Sequence, residues 1–304
     1  MGASFTIDCF YDGAREDMGA VSAACWARLE EISREMAAYP DTVTGDISRI
    51  NASNDTSFEV CKDVFKVLKE AQRVSAQTGG AFDITVYPLV KLWQKAGKDG
   101  KLPDKSAIET AKAMVGYKNI ELKWPNKVIF KKPGLKLDLG AIAKGFAADE
   151  VGEILKKNGI ENYCVSAAGS IYCSGVPPGK KAWEIGIQHP KEKDKMIGML
   201  YLVNQGVTTS GNYERFVTIE GQRYSHIIDP RTGYPQKYVI STTIIAPTAF
   251  KADPFGSAMC VLGGKEGVKY VGIRKGIQAM VVEDHEGKLQ YYWTKGFEEF
   301  QKAK

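Results

Sequence analysis

Asp138-Leu-Gly-Ala-Ile-Ala-Lys-Gly145 reads as the end of a strand, a glycine turn and the start of a helix. The strand side is the strand-like run Leu135–Leu137, and the helix is expected from about Ala141 to Asn158, with Gly159 as its stop. A strand-to-helix junction of this kind aims backbone N–H groups and the positive helix end beyond the strand, which suits a phosphate. It is neither a Walker loop nor GxGxxG, and taken alone Asp138 reads as a capping residue before it reads as a ligand contact.

Upstream of this junction the chain is mostly helical. A strand is expected at Ser4–Tyr11, followed by an amphipathic helix carrying Val21, Cys25, Leu29, Ile32 and Met36 and ending near Pro40. A second helix bears Val64, Val67, Leu68, Ala71 and Val74 and closes at Gly79–Gly80, from which the chain is expected to run straight into a strand at Asp83-Ile-Thr-Val. Asp104 reads as the cap of a third helix that reaches about Gly116, and Val128–Phe130 as a strand. Downstream, strands dominate: Tyr163–Cys173, Trp183–Ile187, Met199–Val203, Phe216–Ile219, Tyr224–Ile228 and Val239–Ala246, then a tail hairpin of Ala279–Glu283 and Leu289–Trp293. No linker, repeat or regular βαβ rhythm divides the chain. The fold class is therefore α+β, with residues 1–304 as a single unit.

Composition excludes several functions. The 304 residues are 44% hydrophobic, enough for a sizeable core, and the net charge of +5 is scattered, with no nucleic-acid-binding motif. No apolar run approaches the roughly 18 residues of a membrane helix. The six cysteines show neither CxxC nor zinc spacing and sit among apolar neighbours, so they read as buried thiols; Cys164 and Cys173 could pair if their strands adjoin. No charged n-region or cleavage site precedes the first strand, consistent with a cytoplasmic start or a mature end.

Chemistry concentrates in four further segments. Residues 224–233, YSHIIDPRTG, set His226, one of three histidines, beside Asp229, Arg231 and a Pro-Arg-Thr-Gly turn. In Ala252-Asp-Pro-Phe-Gly-Ser-Ala, proline at a first helical position would make Asp253 an N-cap, and Ser257 four residues on faces the same way. A carboxylate plus a hydroxyl is a sparse oxygen set of the kind that holds Mg²⁺ together with substrate phosphates; an ordinary cap is the competing reading. Thr208-Thr-Ser-Gly-Asn-Tyr-Glu-Arg offers hydroxyls for a phosphate or ribose, with Tyr213 and Arg215 equally readable as strand residues. In Gly80-Ala-Phe-Asp, Phe82 reads as core.

Taken together these segments resemble the ApbE family of flavin transferases, which move FMN from FAD onto a protein hydroxyl. The resemblance runs in order through Met1-Gly-Ala-Ser-Phe, Tyr39, Ser48-Arg-Ile-Asn, Gly80-Ala-Phe-Asp, Pro88-Leu-Val-Lys-Leu-Trp and Val115-Gly-Tyr. It continues through 138–145, Thr209-Ser-Gly-Asn-Tyr-Glu-Arg, 226–233 and 253–257, nearly the whole chain. It implies mixed α/β lobes with FAD in the cleft between them. Met1, Tyr39, Ala81, Phe82, Asp83, Asp138, Lys144 and one of Ile227 or Ile228 are then expected at the flavin dinucleotide, with Thr209 and Ser210 from the hydroxyl-rich segment. Mg²⁺ is expected on Ala141 (backbone oxygen), Asp253 and Ser257, with Gly256 as a further backbone oxygen. His226 is the expected general base, a residue type that titrates at about 6.5 when unperturbed.

The sequence departs from the family pattern in places. Ser257 replaces a usual threonine, Ala168-Gly169-Ser170 replaces a common Gly-Gly-Asp, and Ala38 stands where a hydroxyl residue often precedes the stacking tyrosine. By resemblance the acceptor is a threonine or serine of a membrane-associated redox protein. By the same resemblance the compartment is extracytoplasmic with a lipid anchor not visible here, a cytoplasmic setting being the alternative. The rival activities are an Mg²⁺-dependent FAD pyrophosphatase and a non-catalytic FAD-binding protein.

Overall fold

Val239–Ala246, VISTTIIA, is buried at all eight positions. A strand with no exposed face requires cover on both sides of its sheet, and that requirement organises the molecule. The computed structural model describes residues 4–11, 15–39, 44–192, 194–211 and 216–302. In chain order it begins β1 (Phe5–Phe10), α1 (Arg15–Met36), α2 (Asp46–Ala52), β2 (Ser57–Glu59), α3 (Lys62–Gln77), α4 (Tyr87–Asp99) and α5 (Lys105–Ala113). The middle comprises β3 (Ile120–Lys123), β4 (Lys127–Phe130), α6 (Ala143–Lys157), β5 (Asn162–Ala167), β6 (Ser170–Ser174), β7 (Trp183–Gln188), β8 (Met196–Leu202) and β9 (Gln205–Gly211). The chain ends with β10 (Phe216–Ile219), β11 (Gln222–Ser225), β12 (Val239–Ala246), α7 (Ala249–Leu262), α8 (Gly264–Gly272), β13 (Gln278–His285) and β14 (Lys288–Trp293).

A seven-stranded antiparallel sheet, ordered β1-β5-β6-β9-β12-β13-β14, is the backbone of this α+β fold. On one face, α1, α3, α6 and α7 bury Ile32, Leu68, Phe146 and Phe255 with Val239, Ile244 and Ala246 of β12. On the other, Ile240 and Ile245 of β12 pack with Trp183, Ile187, Leu200, Leu202 and Phe297, so the β7–β8 hairpin and the C-terminal turn supply the second cover. A third cluster, Leu89, Trp93, Ala96, Ile108, Ile219 and Ile228, joins α4 and α5 to the β10–β11 hairpin. No helix among the described residues is long and apolar enough to cross a membrane.

Several expectations are corrected. Tyr163–Cys173 is a hairpin rather than one strand, turning at Ala168 (φ 44°) and Gly169 (φ 94°), the doubly left-handed pair that suits the strand twist. Leu135–Leu137 is not a strand; its place is fixed by side-chain bonds described below. The strand expected after Gly80 is a 3-10 turn, Ile84–Val86, leading into α4. Pro88 is compatible with the first turn of that helix, and Leu89, Trp93 and Ala96 recur at helical spacing on its buried side. Asp104 holds the cap position of α5 without a side-chain cap bond. Strand β11 stops at Ser225, and Ile228 instead bridges Pro235. Asp253 is not an N-cap: α7 starts four residues earlier, at Ala249, where Thr248 Oγ1 accepts the Lys251 N–H, leaving Pro254 inside the helix. Cys61 is exposed and Cys9 only partly buried, against the expectation of buried thiols. Cys164 and Cys173 face each other across β5 and β6 as free thiols, Sγ to Sγ 3.6 Å.

Candidate active site

Asn51, at the end of α2, uses its whole amide on backbone. Nδ2 donates to the Leu137 carbonyl (2.8 Å) and the Ala38 carbonyl (3.1 Å), and Oδ1 accepts the Leu137 N–H (2.7 Å). The two segments so tied are those just before Tyr39 and Asp138, and the Tyr39 hydroxyl donates to Asp138 Oδ2 at 2.8 Å. Asp138 Oδ1 accepts the Gly140 N–H (2.8 Å), which folds the turn before α6, and the Lys144 ammonium closes that turn onto the Gly140 carbonyl (2.6 Å). Burial and the Asp138 carboxylate push the Tyr39 phenol well above its usual range, so it remains a donor. Its ring stacks on Tyr87 of α4 (centroids 5.5 Å, 28°), with Lys91 Nζ 4.3 Å from its centre. Even so, 43% of Tyr39 stays exposed, leaving surface for a further flat partner.

Ala81, Phe82 and Asp83 are buried beside this cluster, and the Asp138 N–H donates to the carbonyl of the next residue, Ile84 (2.7 Å). The Asp83 carboxylate serves the loop itself. Oδ1 accepts from the Thr85 N–H and hydroxyl (2.8 and 2.7 Å) and Oδ2 from the Tyr117 N–H (2.7 Å). Burial pushes this carboxyl up and those bonds pull it down, with burial the larger effect.

The second cluster centres on Asp253, which is 3% exposed. Because α7 begins at Ala249, Asp253 lies on its second turn against the N-terminus of α6. There Oδ2 accepts the Gly145 N–H (2.9 Å), one of the donors a helix start leaves unpaired. Oδ1 accepts the Ser170 hydroxyl (3.0 Å) and the more distant Thr208 hydroxyl (3.5 Å), residues paired across β6 and β9. The departure at Ser170 therefore puts a hydroxyl donor next to Asp253. The helices approach closely at Gly145: a Cβ there would lie 2.3 Å from the Ala249 carbonyl oxygen and 2.8 Å from Asp253 Cβ.

The partners shown for Asp253 are all neutral donors, although a buried carboxylate needs cationic or strong hydrogen-bond compensation. Ser257 is half-buried four residues along the same helix, and Ala141 sits in the turn that enters α6. Carboxylate, hydroxyl and carbonyl are hard oxygen donors, so the set fits Mg²⁺. Gly256 is its weakest member, because its carbonyl already accepts the Thr242 hydroxyl at 3.1 Å. Ser210 lies against Gly256, where an added Cβ would be 2.6 Å from Ser210 Oγ, while Thr209 pairs with Thr243 through hydroxyls 3.1 Å apart.

His226 is exposed between Ser225, Ile227 and Ile228, all buried. Its backbone is held on both sides. Ser225 Oγ accepts the Ile227 N–H (3.1 Å) and Gln236 Nε2 (3.2 Å), and the Gln236 N–H donates to the Ile227 carbonyl (3.0 Å). Arg231 donates through Nε and Nη2 to Asp229 (2.9 and 2.8 Å), so these charges stabilise the turn. Trp93 Nε1 donates to the Gly233 carbonyl at 2.9 Å. Helix α4 thus carries Tyr87 and Lys91 to the first cluster and Trp93 to the histidine turn.

Of the residues expected at the site, Tyr39, Asp138 and Lys144 share one network that the 81–83 loop adjoins, while Asp253, Gly256 and Ser257 share one helix beside Ser210. Met1 lies outside the described residues, as do Tyr213 and Arg215. Sequence reasoning assigned no role to Asn51, Tyr87, Lys91 or Trp93, and it read Thr208 as a hydroxyl for phosphate or ribose rather than as a neighbour of Asp253. The Ser48-Arg-Ile-Asn and Pro88-Leu-Val-Lys-Leu-Trp segments were the signals that contained three of them.

Comparison with known proteins supplies the family. The ApbE family model matches residues 1–281. A FAD:protein FMN transferase of Klebsiella pneumoniae (strain 342) is 32% identical over 277 residues, covering 88% of this chain and 78% of that one. One from Haemophilus influenzae is 34% identical over 275 residues, covering 86% and 79%. Among solved structures, the flavin transferase ApbE from Vibrio cholerae superposes with a TM-score of 0.87 at 28% identity, covering 99% of this chain and 96% of that one. The ApbE protein of Thermotoga maritima gives 0.87 at 32% identity, with 99% and 97% covered. A family match spanning most of the chain, on a fold shared almost end to end, means that the chain belongs to the ApbE family.

Proposed function

We propose that this chain is an FAD:protein FMN transferase that moves the FMN half of FAD onto a threonine or serine hydroxyl of an acceptor protein, with Mg²⁺, and releases AMP. The observation that carries the reading is Asp253: a buried carboxylate whose donors among the described residues are all neutral, set at a helix N-terminus beside hydroxyl-bearing strands. That is an environment for a cation and phosphates, which simple flavin storage does not need. From the family resemblance we take the acceptor to be a membrane-associated redox subunit met outside the cytoplasm.

The acceptor oxygen attacks the phosphorus of the FMN half, and a new P–O bond forms as the bond to the bridging oxygen breaks. The hydroxyl proton passes to His226, and AMP leaves with the bridging oxygen. Held by Asp253, Ser257 and the Ala141 carbonyl, Mg²⁺ would supply charge neutralisation at the phosphates. The chain's own residues position the rest. Tyr39, kept protonated against Asp138, offers the flat surface for the flavin, and the buried flanks of His226 hold the base in place while leaving its ring accessible.

Mass spectrometry after incubation with FAD and Mg²⁺, with and without an acceptor domain, tests this. An acceptor heavier by FMN, with AMP released, is expected. Free FMN and AMP with an unmodified acceptor would make the chain a pyrophosphatase, and intact FAD would make it a binding protein. Replacing His226 by Ala should slow transfer about 10²–10⁴-fold while changing FAD affinity little. Equal losses in rate and affinity, measured by single-turnover kinetics and flavin fluorescence, would assign His226 to binding instead.

A further inference from the structure

Cys164 of β5 and Cys173 of β6 stand opposite one another in register, with their sulfurs 3.6 Å apart. Both strands are interior, β5 between β1 and β6 and β6 between β5 and β9, so each backbone is held from both sides. The Ala168 N–H donates to the Ser4 carbonyl on the β1 side (3.2 Å). Peptide groups alternate sides along a strand, so even-numbered residues of β5 bond toward β1 and odd-numbered ones toward β6. Cys164 and Cys173 therefore form a non-hydrogen-bonded pair, the kind whose Cα atoms are about 4.5 Å apart. That spacing lies within the roughly 4.4–6.8 Å that a disulfide spans.

The pair is buried beneath the β7–β8 hairpin, among Trp183, Ile187, Leu200 and Leu202. Trp183 Nε1 donates to the Ser174 carbonyl, next to Cys173 (3.0 Å), and so fastens this cover to β6. Thiols in such apolar surroundings stay protonated and unreactive. Exchange chemistry therefore belongs to the stage before the cover closes, and a bond made then is shielded afterwards. From the cysteines the hairpin runs three residue pairs to its turn. There the Gly169 carbonyl accepts the Thr209 N–H (2.9 Å) and the Ser170 hydroxyl donates to Asp253 (3.0 Å).

We propose that Cys164 and Cys173 are a disulfide-forming modification site, closed during maturation by a small-molecule disulfide of the glutathione type. One cysteine thiolate attacks the S–S bond of the oxidant, releasing one oxidant thiolate and leaving a mixed disulfide. The second cysteine thiolate then attacks the chain's own sulfur in that bond and releases the other oxidant thiolate. The chain gives up two protons and two electrons, and the oxidant leaves as two thiols. Closure takes place in an oxidising compartment and not in a reducing one. The bond staples the two strands that present Ser170 to Asp253, and it needs no part of the transferase reading.

The test refolds the full, reduced chain in oxidised and reduced glutathione, then alkylates the remaining thiols in denaturant for peptide mapping. A linked Cys164–Cys173 peptide pair is expected, with Cys9, Cys25, Cys61 and Cys260 alkylated. The oxidised chain should melt about 5 °C above the same chain kept reduced, because the closed loop is short. C164A/C173A should melt at one temperature under both conditions. Once folded, the linked chain should keep its bond in reduced glutathione and lose it when fully unfolded in urea. A second preparation, purified folded and held with oxidised glutathione in sub-denaturing urea, opens the cover without relying on refolding. Alkylated Cys164 and Cys173 in both preparations would overturn the proposal. So would linkage of either cysteine to a third one, glutathione left attached to either, or an oxidised chain that melts no higher than its reduced form.

Discussion

Asn51 should be felt furthest from its own position. Truncation to Ala strips the partner from the Leu137 N–H and carbonyl and from the Ala38 carbonyl. Each unsatisfied buried group costs about 1–3 kcal/mol. Asn51→Ala should therefore lower the urea midpoint clearly and weaken FAD binding, since the Tyr39–Asp138 bond loses the tie that sets its two backbones. Unchanged FAD affinity in a destabilised variant would show that Tyr39 and Asp138 find each other without the tie. The sequence contains this residue in Ser48-Arg-Ile-Asn, but no local rule connects an asparagine to a backbone 86 positions away. His226 was legible for the opposite reason: its turn, its acid and its base lie within a few residues of it.

Between elements, the crossing of α6 and α7 is the sensitive point. An added methyl at Gly145 would meet the Ala249 carbonyl oxygen and the Cβ of Asp253, so Gly145→Ala must push the helices apart. Overpacking of this kind costs about 1–3 kcal/mol. Mg²⁺-dependent turnover should fall more steeply than stability, because the displaced residue is Asp253 itself; an unaffected Mg²⁺ dependence would detach this crossing from the metal site. Long periodic helices such as α1 and α3 were readable from sequence because their apolar spacing is local. Helix α4 was missed because the glycine stop and Ile84-Thr-Val86 look like a strand entry, while two of the deciding events, Asp83 bonding to Tyr117 and burial of Trp93, are tertiary. The start of α7 was misread for a similar reason. Asp-Pro imitates a helix start, and only the structure shows Thr248 capping first while Asp149 accepts the Ala249 and Phe250 N–H groups (3.0 and 3.1 Å).

At the scale of the whole molecule, charge ties distant segments together. Arg28 of α1 bonds Glu31 (2.7 Å), Glu150 of α6 (2.8 Å) and Asp63 of α3. Asp149 contributes a pH dependence to global stability. Burial raises its carboxyl from the ordinary 3.8 to about 6, against the pull of its hydrogen bonds. Between those values the folded chain keeps a proton that the unfolded chain releases, so this contribution falls as pH climbs from about 4 to about 6 and levels off above. Asp149→Asn should flatten the change in Tm across that window in calorimetry; an identical slope would mean that other groups set it.

The strand order has a consequence for synthesis. Among the described strands β1 is made before the others, yet its partner β5 spans residues 162–167, and β6 then pairs with β9, and β9 with β12. The Asp253 helix follows β12, so Asp253 and Ser257 of the proposed metal site are translated after the first strand, Tyr39, Ala141 and His226. A chain stalled or clipped before that helix has no Asp253 with which to complete the site. On the proposed mechanism, interrupted translation would yield an inert fragment rather than a partial enzyme that spends the cell's FAD.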